Sequence, residues 1–521
     1  MIEQGIQFSL RRDSTISTNT TSSIETPSES DSFPPSPLLP LPPKPSPPHD
    51  RYHDYYEACA SHFMEFMDAN PTTYHVVTHF KSLLENNGFT YLPQASPITD
   101  DLPPGFYYTT RDDQSLVTFI IGGEWKPENG SCFVGCHVDS LTVKLNPRGS
   151  LHTKVDGYET IGVAPYSGSL NELWLNRDLG LSGSVLVREE PSGKVVRKLI
   201  SSFPHPIGSI PSLAPHFGEA EQYNKQTKMV PVVGYSEDEE SPATEEEKNS
   251  KFYGRHSLSL LRYICKLAQV SISSILDIDL QLDDVQPAQR GGISNEFIYS
   301  SSLDDRLCSY TAIYGLLEFS SKFYQKNLDI ETYDGLVGVY LANNEEIGSA
   351  TRTGAGGGLL IDTLQSVVST RSRSVTESLA QLTTNTIIIS SDVTHALNPN
   401  FKSVYLKDHA PSPNAGPCIK LDSNFHVLSD SSAYVFLNEI FKNHLPGIKL
   451  QQFHIRNDSR SGGTIGPIMS NGRRGVNGAR IIVDVGLPIL SMHSIRGVCG
   501  AKDVGMGCRF FKAIFEFWQD Y

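Results

Sequence analysis

No run in the sequence approaches the ~20 uninterrupted apolar residues that a membrane-crossing helix needs, so no membrane span is expected. The start, "MIEQGIQFSLRRDS", has no continuous apolar segment of the kind a secretory signal carries. Ile2, Ile6 and Leu10 fall four apart, enough for a short amphipathic turn, but an unstructured tail is the expectation. Cysteine is scarce, at eight in 521 residues, and no two form a CxxC pair. That leaves a zinc ribbon or a thioredoxin-type redox site without support and is too sparse for a disulfide scaffold. Reduced, mostly buried thiols in a protein made in the cytosol are expected. Clusters of Lys and Arg are also missing. The net charge is −15, which argues against nucleic acid as the main partner, because phosphate binding needs clustered cations. No phosphate-binding glycine loop is present either. In "TGAGGG" (353–358) the GxGxxG spacing would require glycine where Leu359 stands, so a mobile loop is expected there. "SGSL" (167–170) lacks the outer glycines and the context of a nucleophile elbow.

What is present falls into distinct stretches. Residues 14 to 32 contain twelve Ser or Thr, and residues 33 to 48 contain nine prolines. Such a segment buries too little apolar surface to offset its ordering entropy, so 1–50 is expected to be a disordered tail or propeptide. Two amphipathic helices follow, one through Tyr56, Phe63, Phe66 and Met67, the other through Val76, Val77, Phe80, Leu83 and Leu84. Then come strand-like runs at 115–123 and 131–140. From 142 to 282 short β-like runs, prolines and an acidic loop dominate. That loop holds Glu237, Asp238, Glu239 and Glu240 with Glu245 to Glu247, and a solvated surface suits it better than a metal site. After "DLQLDDVQP" strands and helices alternate again to the end. The expected architecture is an α/β layer fold, with a mixed, mostly parallel sheet between helices and a β-rich insertion. The expected divisions are 1–50, 51–141, 142–282 and 283–521.

In such sheets, sites form beyond the carboxyl ends of the strands. Ionisable residues collect there: His137 and Asp139 in "FVGCHVDS", Glu345 and Glu346 in "LANNEE", Asp392 and His395 in "IIISSDVTH", and His493 in "GLPILSMHS". Asp304 and Asp305 in "SSLDDRL" precede a helix, where an aspartate is ordinarily an N-cap. Imidazole and carboxylate groups together suit zinc or a similar divalent ion. The set exceeds the needs of one tetrahedral ion and fits two ions ~3.5–4 Å apart that share a carboxylate. The Asp139 carboxylate is placed to accept the second N–H of His137. Strand alternation would aim the adjacent Glu345 and Glu346 in different directions, giving each its own task.

The blocks "GCHVDSLTVK", "LDDRL", "NNEEIGS", "SSDVTHALNPN", "SRSGGTIGP" and "MHSIR" resemble, in order, those of the M18 metallo-aminopeptidases. "NPTTYHVV", "GSLNELWLNRDLG", "IPSLAPHFG" and "KDVGMG" are similar to the fungal vacuolar aminopeptidase I branch, and the likeness runs from about residue 51 to the end. The resemblance implies a zinc-peptidase-like fold. It implies two zinc ions, one on His137, Asp304 and Asp392, the other on Asp304, Glu346 and His493, with Asp304 bridging. Glu345 would be the general base and Asp139 would orient His137. His395, His216 and Lys420 would contact substrate, His216 in the active site of a neighbouring subunit. The middle segment would be a dimerisation domain within a dodecamer. Peptides would be the substrates, with neutral P1 residues by branch and acidic ones if Lys420 lines S1. The tyrosine that accompanies that lysine in aspartyl aminopeptidases is Val427 here, and an acid found after the "HSIR" arginine in many relatives is Gly497. The resemblance also implies cytosolic synthesis, a vacuolar destination and an autophagy receptor acting on the tail, with cytosolic residence or a non-catalytic cargo role as alternatives.

Overall fold

The computed structural model describes residues 52–94, 102–146, 154–217, 223–235, 241–472 and 474–521. The expectations for the tail 1–50 and for the acids at 237–240 lie outside the described residues. A nine-stranded sheet organises the chain. Its spatial order is Thr90–Tyr91, Gly105–Arg111, Ser115–Ile121, Leu336–Ala342, Cys132–His137, Ile387–Ser391, Ile481–Gly486, Cys418–Leu421 and Gln451–His454. The four strands from Leu336–Ala342 to Ile481–Gly486 are mutually parallel, and antiparallel pairings flank them on both sides. Three of the four are rich in Val, Ile and Leu, Cys132–His137 carries Cys, Phe and Val instead, and all are almost wholly buried, as a sheet covered on both faces requires.

Alternate residues feed two apolar layers. Val134, Ile387, Ile389, Val483 and Val485 meet the helices His53–Ala69, Leu303–Tyr324, Ser431–His444 and Ala501–Phe517. Phe133, Ile388 and Tyr340 meet Leu359–Ser369 and Val375–Thr384 on the opposite face. The sheet is therefore sandwiched by helices, as the strand–helix alternation predicts.

The segment after Leu141 builds a separate core around Leu179, Leu181, Val185, Leu280 and Leu282. Its five-stranded sheet runs Val195–Ser201, Leu179–Arg188, Ile275–Asp284, Thr142–Leu145, Val163–Tyr166, antiparallel throughout. Three short strands at 154–155, 158–160 and 232–235 form a second sheet beside it. The body is β-rich, but it also holds the helix Leu258–Ala268, which the sequence reading did not single out. Ser257 starts that helix, its hydroxyl accepting from the Leu260 amide, and Leu260, Leu261, Ile264 and Ala268 bury one face. The chain enters this body on Thr142–Leu145 and leaves on Ile275–Asp284, and these two strands pair with each other, Val143 opposite Leu282 and Lys144 opposite Gln281.

A last small sheet joins Gln289–Gly291, Phe297–Ser300, Gly497–Gly500, Pro488–Leu490 and Thr394–His395. It brings the loop that carries His493 to the parallel strand ends. All eight cysteines are free, and all but Cys265 are buried. No helix among the described residues is long and apolar enough to cross a membrane.

Candidate metal centre

His137 is the last residue of its strand, Asp392 directly follows another, and Glu345 and Glu346 come three and four residues after a third. These three strands are adjacent and parallel, so their carboxyl ends deliver the side chains to one edge. Asp304 arrives from the start of Leu303–Tyr324. Its backbone is non-helical and it caps no amide; the residue in the N-cap position is Ser302. Asp304 instead lies between two histidines. Its Oδ1 is 3.2 Å from His137 Nε2, and its Oδ2 is 3.3 Å from His493 Nε2. His137 Nε2 also lies 3.7 Å from Asp392 Oδ1 and 3.9 Å from Glu345 Oε2. Asp304, Glu346 and His493 each offer a ligand atom within 4.8 Å of the others.

Asp305 forms a comparable group with His137 and Asp392. Its carboxylate is fully buried and accepts the backbone N–H groups of His137 and Val393. It ties two strand ends together from behind, whereas Asp304 faces the cavity.

His137 Nδ1 lies 3.0 Å from the backbone oxygen of Asp139 and 3.4 Å from its carboxylate. With Nδ1–H donating to that carbonyl, Nε2 keeps its lone pair. The Asp139 carboxylate has further partners. Oδ1 accepts the Glu345 amide at 3.1 Å, and Oδ2 accepts the Glu346 amide at 3.2 Å and the Tyr166 hydroxyl at 2.8 Å. The strand before the glutamates stops at Ala342, and the pair lies on a 3₁₀ turn, Glu345–Ile347, between left-handed Asn344 and Gly348. Strand alternation therefore does not separate the two carboxylates; the turn does. The glycine-rich loop 353–358 is pinned as well, through Arg111 to the carbonyls of Arg352 and Gly357 and Tyr340 to that of Gly354.

Six carboxylates crowd this edge, Asp139, Asp304, Asp305, Glu345, Glu346 and Asp392, and burial sharpens their repulsion. Glu345 is pushed up to about 7, by burial first and by Asp392, Asp139 and Asp304. Glu346 is pushed up to about 9, by burial and then by Asp304. Burial opposes ionisation of Asp304 too, but the hydrogen bonds to His137 and His493 hold its carboxyl well below the usual range. His137 is raised well above 6.5; burial opposes this, and Asp139, Asp304 and Asp392 outweigh it. Glu346 Oε1 is buried without a hydrogen-bond partner. A carboxylate in that condition lacks a cation, and the His/Asp/Glu donor set is one that suits zinc.

The cluster lies in a cavity of about 440 Å³. One wall is apolar, with Val427, Phe453, Ile455 and Met492. His395 lines it on the short strand Thr394–His395, 5.7 Å from the Phe453 ring. Lys420 is buried, with Nζ 3.4 Å from Asp392 Oδ2. Its ammonium is held above the usual lysine range against the cost of burial by Asp392 and Asp484. His216 is not brought to this cavity. It lies exposed on the turn Pro215–Phe217, against the Phe217 ring. Asp305 was collected with Asp304 from the sequence but given no role of its own, and Tyr166 and Asn344 went unnoticed, because each acts through hydrogen bonds that no spacing announces.

The family model described as "Aminopeptidase I zinc metalloprotease (M18)" matches residues 66–515. Vacuolar aminopeptidase 1 of Saccharomyces cerevisiae is 44% identical over 474 residues, covering 89% of each chain. An aspartyl aminopeptidase of Aspergillus oryzae is 33% identical over 488 residues, 88% of this chain and 95% of that one. Among solved structures, the crystal structure of prApe1 superposes with a TM-score of 0.83 at 43% identity, covering 89% of this chain and 95% of that one. The S. cerevisiae mApe1 dodecamer gives 0.77 at 39%, covering 89% and 98%. An Ape4–Nbr1 complex gives 0.82 at 30%, covering 89% and 87%.

Proposed function

Because the chain belongs to the M18 aminopeptidase I zinc metalloprotease family, and so is a metallo-aminopeptidase, we propose that it removes N-terminal residues from peptides at the Asp304-centred cluster. Two zinc ions would be held there, one by His137, Asp304 and Asp392, the other by Asp304, Glu346 and His493. The observation that carries this reading is Asp304 itself, with each carboxylate oxygen turned to a different histidine. Bound zinc supplies Lewis acidity, which polarises a carbonyl and makes water acidic enough to lose a proton near neutral pH.

The chain supplies the rest. Glu345, borne on the turn with Oε2 3.9 Å from His137 Nε2, takes the proton from the attacking water and returns it to the leaving amine. Asp139 fixes the His137 tautomer through its carbonyl and the glutamate turn through its carboxylate. The apolar wall receives the P1 side chain, and His395 borders it. Lys420 is engaged with Asp392, which favours neutral P1 residues over acidic ones. The 142–282 body serves assembly. Exposed His216, beside exposed Phe217, suits a role in a neighbouring subunit's site within a dodecamer like that of mApe1. Likeness to a vacuolar enzyme and to a partner of Nbr1 supports vacuolar delivery through a receptor that reads the tail.

Glu345→Gln tests the reading. Turnover of unblocked peptides should fall at least ~100-fold, in line with loss of a general base. Zinc should remain at two per subunit by elemental analysis. Retained turnover would remove Glu345 from the mechanism, and a single zinc per subunit would remove the paired site.

A further inference from the structure

Tyr166 ends the strand Val163–Tyr166 in the β-rich body, yet its phenol reaches into the hydrogen-bond shell behind the two glutamates. The hydroxyl donates to Asp139 Oδ2 at 2.8 Å and accepts from Asn344 Nδ2 at 2.8 Å. Asp139 is the acceptor for the amides of both Glu345 and Glu346. Asn344 immediately precedes them in a left-handed conformation, φ 58°, and its Oδ1 is held by Thr351 Oγ1 at 2.8 Å and Thr353 Oγ1 at 3.2 Å. One hydroxyl thus touches both supports of the turn. The turn needs them, because the first amides of a helical turn have no partner within it. The phenol makes the shortest of the three hydrogen bonds to this carboxylate; without it, Oδ2 keeps only the longer bond from the Glu346 amide, at 3.2 Å.

We propose that Tyr166 is a positioning residue for the peptidase reaction, locking the Glu345–Glu346 turn so that the β-rich body sets how both carboxylates face the cavity. This rests on the assignment of Glu345 as base and Glu346 as ligand.

Tyr166→Phe keeps the ring and deletes the hydroxyl. Its kcat should fall ~10–100-fold, the usual effect of losing an outer-shell partner. KM should stay within about twofold, because the apolar wall is untouched. In metal-stripped protein, hydrogen–deuterium exchange of the peptide spanning 343–350 should accelerate, a readout that does not depend on turnover. Asn344→Gly, in which glycine tolerates the left-handed backbone, should act through the same network, so the double variant should cost less than the sum of the two. An unchanged kcat, unchanged exchange, a loss carried by KM alone, or additive costs would each overturn the proposal. Glu345→Gln measured in parallel separates the two readings. If it is dead while Tyr166→Phe is unaffected, the positioning role falls and the active site stands. If Glu345→Gln stays active, the base assignment falls, and exchange alone then decides whether the phenol holds the turn.

Discussion

Replacing Asp283 with asparagine should stabilise the protein above neutral pH and have little effect in acid. Asp283 is the next-to-last residue of the strand Ile275–Asp284, opposite Gly180, where the two bodies meet. Both of its carboxylate oxygens are buried without a hydrogen-bond partner. Burial pushes the group up from 3.8 to about 7, and the nearby Ser182 hydroxyl and, less so, Arg306 offset only part of that. The folded state therefore binds a proton that the unfolded state releases, across the window from about 4 to about 7. Below that window both states are protonated and the group costs no stability through ionisation. As pH rises through the window, stability falls. Three units at ~1.4 kcal/mol each give ~4 kcal/mol at pH 8 as an upper bound. Relaxation and the cost of burying an amide reduce the expected gain for Asp283→Asn to ~1–3 kcal/mol. The assay is thermal unfolding of wild type and variant at pH 5 and pH 8. The midpoint of Asp283→Asn should exceed that of wild type by a few degrees at pH 8, with a smaller gap at pH 5. An equal difference at both pH values would show that the carboxyl is not perturbed, and a variant less stable at pH 8 would reverse the sign of the reasoning.

Gly486→Ala would set a Cβ 2.0 Å from the backbone oxygen of Asp392, which cannot swing away as a side chain would. The two central strands must part where Asp392 leaves its strand, so activity should fall more than ~10-fold and the unfolding midpoint should drop, by the overpacking cost of ~1–3 kcal/mol; an active, equally stable variant would refute this packing. Lys420→Met removes the cation beside Asp392. Turnover should drop for every P1 residue alike, read on a substrate panel, whereas a loss confined to acidic P1 residues would return Lys420 to a substrate-binding role.

Much of the site was legible because a parallel sheet carries its strand ends to one edge. His137, Glu345, Glu346, Asp392 and His493 could therefore be grouped from the sequence as residues at strand ends, and Asp304 and Asp305 as residues that open a helix. Which of them would share an ion came only from the likeness to known blocks. What failed was local geometry. The separation of Glu345 from Glu346 was assigned to a strand, but the strand stops at Ala342 and two asparagines intervene. The Asp139 carboxylate was assigned to His137, and it does lie 3.4 Å from Nδ1, but it also accepts two backbone amides and a phenol, which the sequence did not suggest. Tyr166 could not have been found by pattern, because it acts across two bodies that are far apart in sequence. The helix Leu258–Ala268 was readable, with Ser257 as its cap and a 3.6-residue apolar repeat, and the β-like runs around it obscured it.

The chain leaves for the β-rich body and returns from it on neighbouring strands, Thr142–Leu145 beside Ile275–Asp284. Paired strands lie ~5 Å apart, so the whole excursion hangs from one doorway. A short turn joining the two strands at that doorway could replace about 130 residues without breaking any strand of the nine-stranded sheet. As genetic material, such a module is easily gained, exchanged or lost. Tyr166 is what makes this one hard to lose: its hydroxyl crosses the doorway to Asp139 and Asn344, so a lineage that discarded the module would have to find another donor for Asp139 at the same time.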